Sequence, residues 1–319
     1  MTIDRFAYAM VSETSNPTVE VASTDYGGLF DDDNASPADS FQRPAEAILK
    51  EFGIHRGVSV FLTSELPPYT GVGAVSGSAV ALIWALAKLQ QQPMAPTEAA
   101  RIASLVEVER LGLPFGVSDS YAQAVGGLTF VDITESRVCA APIPVSEDLR
   151  LALEARLMLF FTGRVQRDTQ KLNETSRAAE RNRAGVIEAL HEIRAAAIDL
   201  RDLLRHGEID SVGACMDRTW QATRRMGPAM SDPWVDQWYG MAINAGATGG
   251  KLNGLGDAGF LLLFCEPDRQ DRVTQSLQSA GLRRIGVHFE PTGVSLLLDD
   301  SPIAVTSRTR STAGKFARN

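Results

Sequence analysis

The sequence predicts an α/β fold, and three stretches carry that prediction. Val58, Val60 and Leu62 alternate with Ser59, Phe61 and Thr63, the period-two pattern of a half-buried strand, and Val80, Ile83, Trp84 and Ala87 follow at helical spacing. Val186, Leu190, Ile193, Ala197, Leu200 and Leu204 repeat by fours and threes inside a mostly helical segment from Asn173 to Arg205. Phe260 to Phe264, behind a glycine cluster, reads as a further strand.

Between the first strand and its helix lies Leu66 to Ser78, LPPYTGVGAVSGS. A loop of such small residues lets backbone N–H groups approach an anion, while the helix N-terminus adds about half a positive charge. Phosphate is the guest that suits it. The competing reading is a tight turn whose glycines only relieve backbone strain.

The 319 residues, 44% hydrophobic and 22% charged, suffice for a sizeable core in two domains or one large one. A formal charge of −8 argues against nonspecific binding to nucleic acid or to an anionic membrane. Cys139, Cys215 and Cys265 lie far apart, without the spacing of a zinc site or a disulfide framework, which fits a reducing cytoplasm. MTIDRFAYAM lacks the basic flank and apolar core of a signal peptide, and no apolar run is long enough to cross a bilayer. A cytoplasmic location is therefore expected.

In chain order, Phe6 to Val11 and Thr18 to Ser23 are expected to form a hairpin turned at Asn16 and Pro17. Asp31, Asp32, Asp33, Asn34 and Asp39 match no calcium-loop spacing, so a solvated surface loop is expected there. Pro44 to Phe52 reads as a short helix, and another begins after Pro96 with Thr97 as its cap. On that second helix Ile102, Leu105, Val106 and Glu109 share a face, which places a carboxylate on an inward apolar surface. Glu109 then either pairs with an arginine or holds a metal ion near the glycine loop.

Leu113 to Gly116 turns the chain into Ser118, Asp119, Ser120 and Tyr121, so Asp119 falls in a first helical turn. There an acid is either simply favoured by the helix dipole or aimed at a reacting hydroxyl. Gly126 and Gly127 end this helix before a strand from Leu128 to Ile133. The polar stretch Ser146 to Arg150 marks the expected domain boundary, giving units 1–148 and 149–300.

The strand Leu157 to Phe161 opens the second unit, and His191 and His206 read as surface residues. Gly254, Gly256 and Gly259 fit G-x-G-x-x-G, but a strand follows them instead of preceding them, which rules out the dinucleotide-binding reading. A glycine turn pressed against a ligand or a neighbouring helix remains. Arg272 to Ala280 reads as a helix and Val294 to Leu298 as a last strand. Residues 301–319, with Arg308, Arg310, Lys315 and Arg318 and no acid, read as a basic, flexible tail.

Taken together, these stretches resemble the GHMP small-molecule kinases, in particular the branch of the D-glycero-D-manno-heptose 7-phosphate kinases. Leu66 to Ser78 is similar to the family's P-x-x-x-G-L-G-S-S phosphate loop, with Ala74 and Val75 in place of the two serines. Glu107 to Gly127, EVERLGLPFGVSDSYAQAVGG, is the second match, with Val117 and Ser118 where heptose-type members have lysine and glutamine. Lys251 to Phe264 is similar to K-x-x-G-A-G-G-G-G-F, interrupted by Asp257 and Ala258. Thr2 to Tyr8 is similar to the hairpin strand that in the family follows an opening strand and a Gly-Gly-x-(Thr/Asp) substrate loop, so the resemblance begins after that opening.

The resemblance implies an N-terminal domain of mixed sheet and helices and a C-terminal ferredoxin-like domain, with the active site between them. Gly71, Val72, Gly73 and Ser76 would lie beside the phosphates of ATP, supported by Gly254 and Gly256 from the second domain. Glu109 would help hold Mg²⁺, and Asp119 would face the acceptor hydroxyl. The implied activity is ATP-dependent phosphorylation of a sugar or sugar phosphate, of heptose-phosphate type. Its partner would be that small molecule, with no nucleic acid or membrane, and a homodimer is an assembly the resemblance allows. The departures from the motifs leave an alternative, a protein on the same scaffold that binds nucleotide or sugar without turnover.

Overall fold

The computed structural model describes residues 1–23, 38–113, 116–165, 184–227, 230–256 and 258–298. Asp31, Asp32, Asp33 and Asn34, the start of the expected helix at Asn173, Asp257 and the 301–319 tail lie outside them.

Strand β3 (Val58–Ser64) is the centre of the first sheet, because its alternation buries Val58, Val60 and Leu62 on one face. Strand β1 (Ala7–Glu13) pairs with it antiparallel and β2 (Val19–Ser23) parallel, in the order β1-β3-β2. The expected hairpin between β1 and β2 is thus replaced by two strands that flank a third. Each covers one edge of the most apolar strand, and Ala9, Val11, Val19 and Val21 all reach the same core.

Helices α1 (Ala38–Glu51), α2 (Ala74–Leu89), α3 (Pro96–Ser104) and α4 (Val117–Val125) complete this half. Leu82, Ile83 and Leu86 of α2 are fully buried, as suits a helix with β1, α1, α3 and α4 around it. Helix α3 starts at Pro96 with Ala95 before it, so Thr97 sits inside the first turn and does not cap. Proline is preorganised for that first position and has no N–H to leave unpaired. The helix continues into a π-helical turn, Leu105–Arg110. Strands β4 (Thr129–Ile133) and β5 (Val138–Pro142) form a hairpin beyond α4.

Helix α5 (Glu147–Arg156), capped by the Ser146 side chain, leads into β6 (Leu157–Phe161). Then come α6 (Ala184–His206), α7 (Val212–Arg225), α8 (Pro233–Ala245), β7 (Gly249–Leu255), β8 (Ala258–Phe264), α9 (Gln270–Ser279) and β9 (Arg283–Ile285). The four strands form an antiparallel sheet in the order β7-β8-β6-β9, the ferredoxin-like arrangement. One face packs Phe160, Leu261 and Leu263 against Trp220 and Trp238 of the helices. The other gathers Leu159, Phe260 and Leu262 with Leu66, Val72 and Leu128, and so meets the glycine loop of the first half.

Val294 to Leu298 is not a strand. The Val294 N–H donates to the Ala124 carbonyl at 3.1 Å, so this segment spends its backbone on the end of α4, and Leu296, Leu297 and Leu298 are exposed. Among the described residues, no helix is long and apolar enough to cross a membrane.

Candidate active site

The loop between β3 and α2 is built from left-handed backbone: φ is 60° at Tyr69, 74° at Gly71 and 77° at Gly73. Gly73 immediately precedes α2, and no side chain caps that helix. Its first N–H groups, which have no partner within the helix, are left for an outside acceptor at the positive end of the helix dipole. Val72 packs into the apolar cluster below, which anchors the loop by its middle residue.

Helix α4 is fitted to this loop by Gln123. Its side-chain amide donates to the Gly73 carbonyl at 2.7 Å. A Cβ on Gly73 would lie 2.0 Å from the Gln123 Nε2, and one on Gly77 would lie 2.3 Å from its Oε1, so a side chain at either position would displace the Gln123 amide. One turn earlier on α4 stands Asp119, whose Cβ is 4.0 Å from where a Gly73 Cβ would be. Asp119 is exposed to solvent yet crowded by protein. That burial pushes its carboxyl above the usual aspartate range, while the charges of Lys251 and the Met1 ammonium pull it back.

The inward carboxylate of the preceding segment is Glu107, and Glu109, expected in that place, is exposed. Glu107 is only 1% exposed. Ser76 Oγ donates to its Oε2 at 3.0 Å and Ser120 Oγ at 3.4 Å. Its Oε1, also buried, has no hydrogen-bond partner. Burial raises its carboxyl from 4.5 to about 7, against the pull of the two serine hydroxyls.

Local geometry explains the exchange of Glu109 for Glu107. The buried side of α3 carries the small residues Ala99, Ala100 and Ala103, and four positions beyond Ala103 is Glu107. Two residues further along the π-helical turn, Glu109 falls on about the opposite side and points outward. The larger Ile102 and Leu105, which suggested the other face, are only partly buried. The alanine stripe was the signal that could have found Glu107.

The second glycine cluster meets the first, backbone against backbone. A Cβ on Gly71 would lie 2.1 Å from the Gly254 nitrogen and 2.4 Å from its Cα, and one on Gly259 would lie 2.8 Å from the Thr70 carbonyl oxygen. Gly254 thus touches the loop directly. Gly256, with φ 63°, shapes the turn between β7 and β8 and accepts a hydrogen bond from the Asp232 N–H at 3.1 Å. Gly71, Val72, Gly73, Ser76, Asp119 and Gly254 therefore lie about one loop, with Glu107 hydrogen-bonded to Ser76, while Gly256 is engaged with Asp232 and makes no such contact among the described residues. Lys251, three residues before Gly254 on β7, also belongs here, since its charge acts on Asp119. Its place at the head of the third motif was the signal for it.

A buried carboxylate with one unpaired oxygen, next to a hydroxyl and a loop suited to phosphate, fits a divalent cation. No group of three His, Cys, Asp or Glu side chains that could hold a metal occurs among the described residues. An ion held by Glu107 would therefore need further oxygen donors, which a bound phosphate could supply.

Residues 40–127 match the GHMP kinases N terminal domain. A D-glycero-alpha-D-manno-heptose 7-phosphate kinase of Campylobacter jejuni is 26% identical over 269 residues, 84% of this chain and 77% of that protein. A mevalonate kinase of Thermococcus sibiricus is 26% identical over 267 residues, 81% of this chain and 73% of that protein. Among solved structures, a D-glycero-D-manno-heptose 1-phosphate kinase from Bacteriodes thetaiotaomicron superposes with a TM-score of 0.69 at 22% identity, over 92% of this chain and 87% of that one. A Lactococcus lactis galactokinase complexed with galactose does so with a TM-score of 0.70 at 13% identity, over 92% and 88%. These two show a shared fold. Residues 40–127 thus match a GHMP kinase N-terminal domain, and over most of its length the chain is similar to kinases that share its fold.

Proposed function

We propose that this protein transfers the γ-phosphoryl group of ATP to a hydroxyl of a sugar or sugar phosphate, with heptose phosphates as the first candidates. The observation that carries the reading is the placement of Asp119, held one helical turn from the Gln123 that grips the phosphate loop at Gly73. The names of the relatives support the reaction class, and the heptose phosphate kinases among them suggest the acceptor.

In this mechanism, units 1–148 and 149–300 share the cleft. The N–H groups at Gly73 and the start of α2 bind the donor phosphates, and the contact of Gly71 with Gly254 fixes the shape of that cradle. Asp119 accepts the proton of the acceptor hydroxyl as its oxygen attacks the γ-phosphorus. Glu107 and Ser76 would hold Mg²⁺, which when bound neutralises phosphate charge. Ser120 keeps the second hydrogen bond to Glu107 and so fixes the carboxylate from the α4 side.

A coupled ADP-release assay tests the reading over a panel of heptose, heptose 1-phosphate, heptose 7-phosphate, galactose and mevalonate. Turnover with a sugar or sugar phosphate is expected. Asp119→Asn should lower kcat by roughly 10²- to 10⁴-fold. Absence of turnover with every acceptor, or turnover indifferent to Asp119→Asn, refutes it.

A further inference from the structure

Lys251 sits where the two glycine clusters and the acidic helix come together. Its neighbour Leu252 faces the helical core of the second half, so Lys251 projects from the opposite face of β7, across from Leu262 in the ladder. Leu262 shares a cluster with Leu66 and Val72, the first and a middle residue of the phosphate loop. Three positions along the same strand, Gly254 touches Gly71. On the far side stands Asp119, whose charge reaches Lys251. Among the described residues no carboxylate comes within ion-pair distance of Lys251, and its side chain makes no hydrogen bond. Burial pushes the Lys251 ammonium below its usual range while the Asp119 charge pulls it back, so an enclosed lysine not bonded to that carboxylate is poised for an anion that enters between them and holds it charged.

We infer that Lys251 is a catalytic residue that binds the phosphoryl group in transit from the phosphate loop to the acceptor beside Asp119. The inference rests on the phosphoryl transfer proposed above. In that step the acceptor oxygen forms a new bond to the γ-phosphorus while the bond to the oxygen bridging the β-phosphate breaks. The electron pair leaves with ADP, and the hydroxyl proton passes to Asp119. The γ-phosphoryl oxygens need a positive partner throughout, and an ammonium on β7 beside Asp119 supplies it. Lys251 also keeps a positive charge near Asp119, which favours the ionised carboxylate that must receive the proton.

The test is calorimetric titration of the full chain with ADP and with a non-hydrolysable ATP analogue, alongside steady-state kinetics. Wild type should prefer the analogue over ADP. Lys251→Met should reduce that preference roughly tenfold or more while leaving ADP affinity within about threefold, and kcat should fall roughly 10²- to 10³-fold. Lys251→Arg should retain most of the preference. Lys251→Gln serves as a second neutral variant, and unchanged ADP binding certifies that each protein is folded. A preference unchanged in both neutral variants overturns the role of Lys251 while leaving the kinase reading intact. Neutral variants that lose ADP and analogue binding in parallel overturn it too, because they mark a purely structural lysine. Wild type that binds neither nucleotide overturns the kinase reading itself.

Discussion

The side-chain amide of Gln123 donates a hydrogen bond to the carbonyl oxygen of Gly73 at 2.7 Å, which ties the helix that bears Asp119 to the loop that would hold phosphate. Two glycines, at 73 and 77, leave room for this one side chain. Gln123→Ala should therefore cost about 1 kcal/mol of stability in urea denaturation, the net worth of one such bond. The loss in kcat/KM should be larger than that figure alone implies, because Asp119 and the loop lose their common reference. Equal and small losses in both would show that Gln123 only fills space.

Gly71 is a stricter case. Gly71→Ala adds a methyl 2.1 Å from the Gly254 nitrogen in addition to the strain of φ 74°, so one of the two backbones must move. A loss of roughly 3 kcal/mol or more is expected by chemical denaturation. Gly53→Ala is the control, with φ 66° and open space around it; it should cost only about 1 kcal/mol, the left-handed strain alone. Similar costs for the two would refute the close contact.

Glu107 sets a pH dependence whose sign can be worked out. Its carboxyl is raised from 4.5 when unfolded to about 7 in the fold, so the folded state holds the proton more tightly. Without a divalent cation, stability should fall as pH rises from 4.5 to about 7 and then level off, a total of about 3 kcal/mol. Glu107→Gln should flatten this slope and abolish activity. Thermal melts of wild type at pH 8 with and without Mg²⁺ should show that added ion restores what ionisation removed. A melt at pH 8 insensitive to Mg²⁺ would argue against Glu107 as its ligand.

His288 gives a second pH window, which begins before the Glu107 window closes. Its Nδ1 lies 2.8 Å from Glu154 Oε1, and that hydrogen bond raises the imidazole above its usual 6.5. The stabilisation is fully present below pH 6.5 and is lost as pH rises through the higher folded value. His288→Ala should flatten a modest decline above pH 6.5 in the melting temperature and leave the Glu107 slope below it. The exposure of His288 keeps the effect small.

Much of this was legible in the sequence, for reasons of pattern. The strand, small-residue loop and helix from Val58 to Leu89 follow from local periodicity alone, and so does the fully buried β8. Pairing was less legible: β1 and β2 read as a hairpin because they are neighbours in sequence, whereas each found a better apolar surface on β3. The mistake at Glu109 was one of weighting. Large residues drew attention to the wrong face of α3, and only the alanines, too small to dominate a hydrophobic pattern, pointed to Glu107. Lys251 was visible as the head of the third motif, but its nearness to Asp119 was not, because the two lie on different elements, 132 positions apart by their residue numbers, and only the fold brings them together.

The far end of the Asp119 helix is clamped by distant segments. The Thr2 N–H donates to the Gly127 carbonyl and the Thr2 hydroxyl to that of Glu290, while Gly127 N–H donates to Glu290 and Val294 N–H to Ala124. A tag, cut or crosslink introduced near position 290 is thus remote from the reaction along the chain but mechanically coupled to it. It would shift the aim of the carboxylate before it disturbed either core.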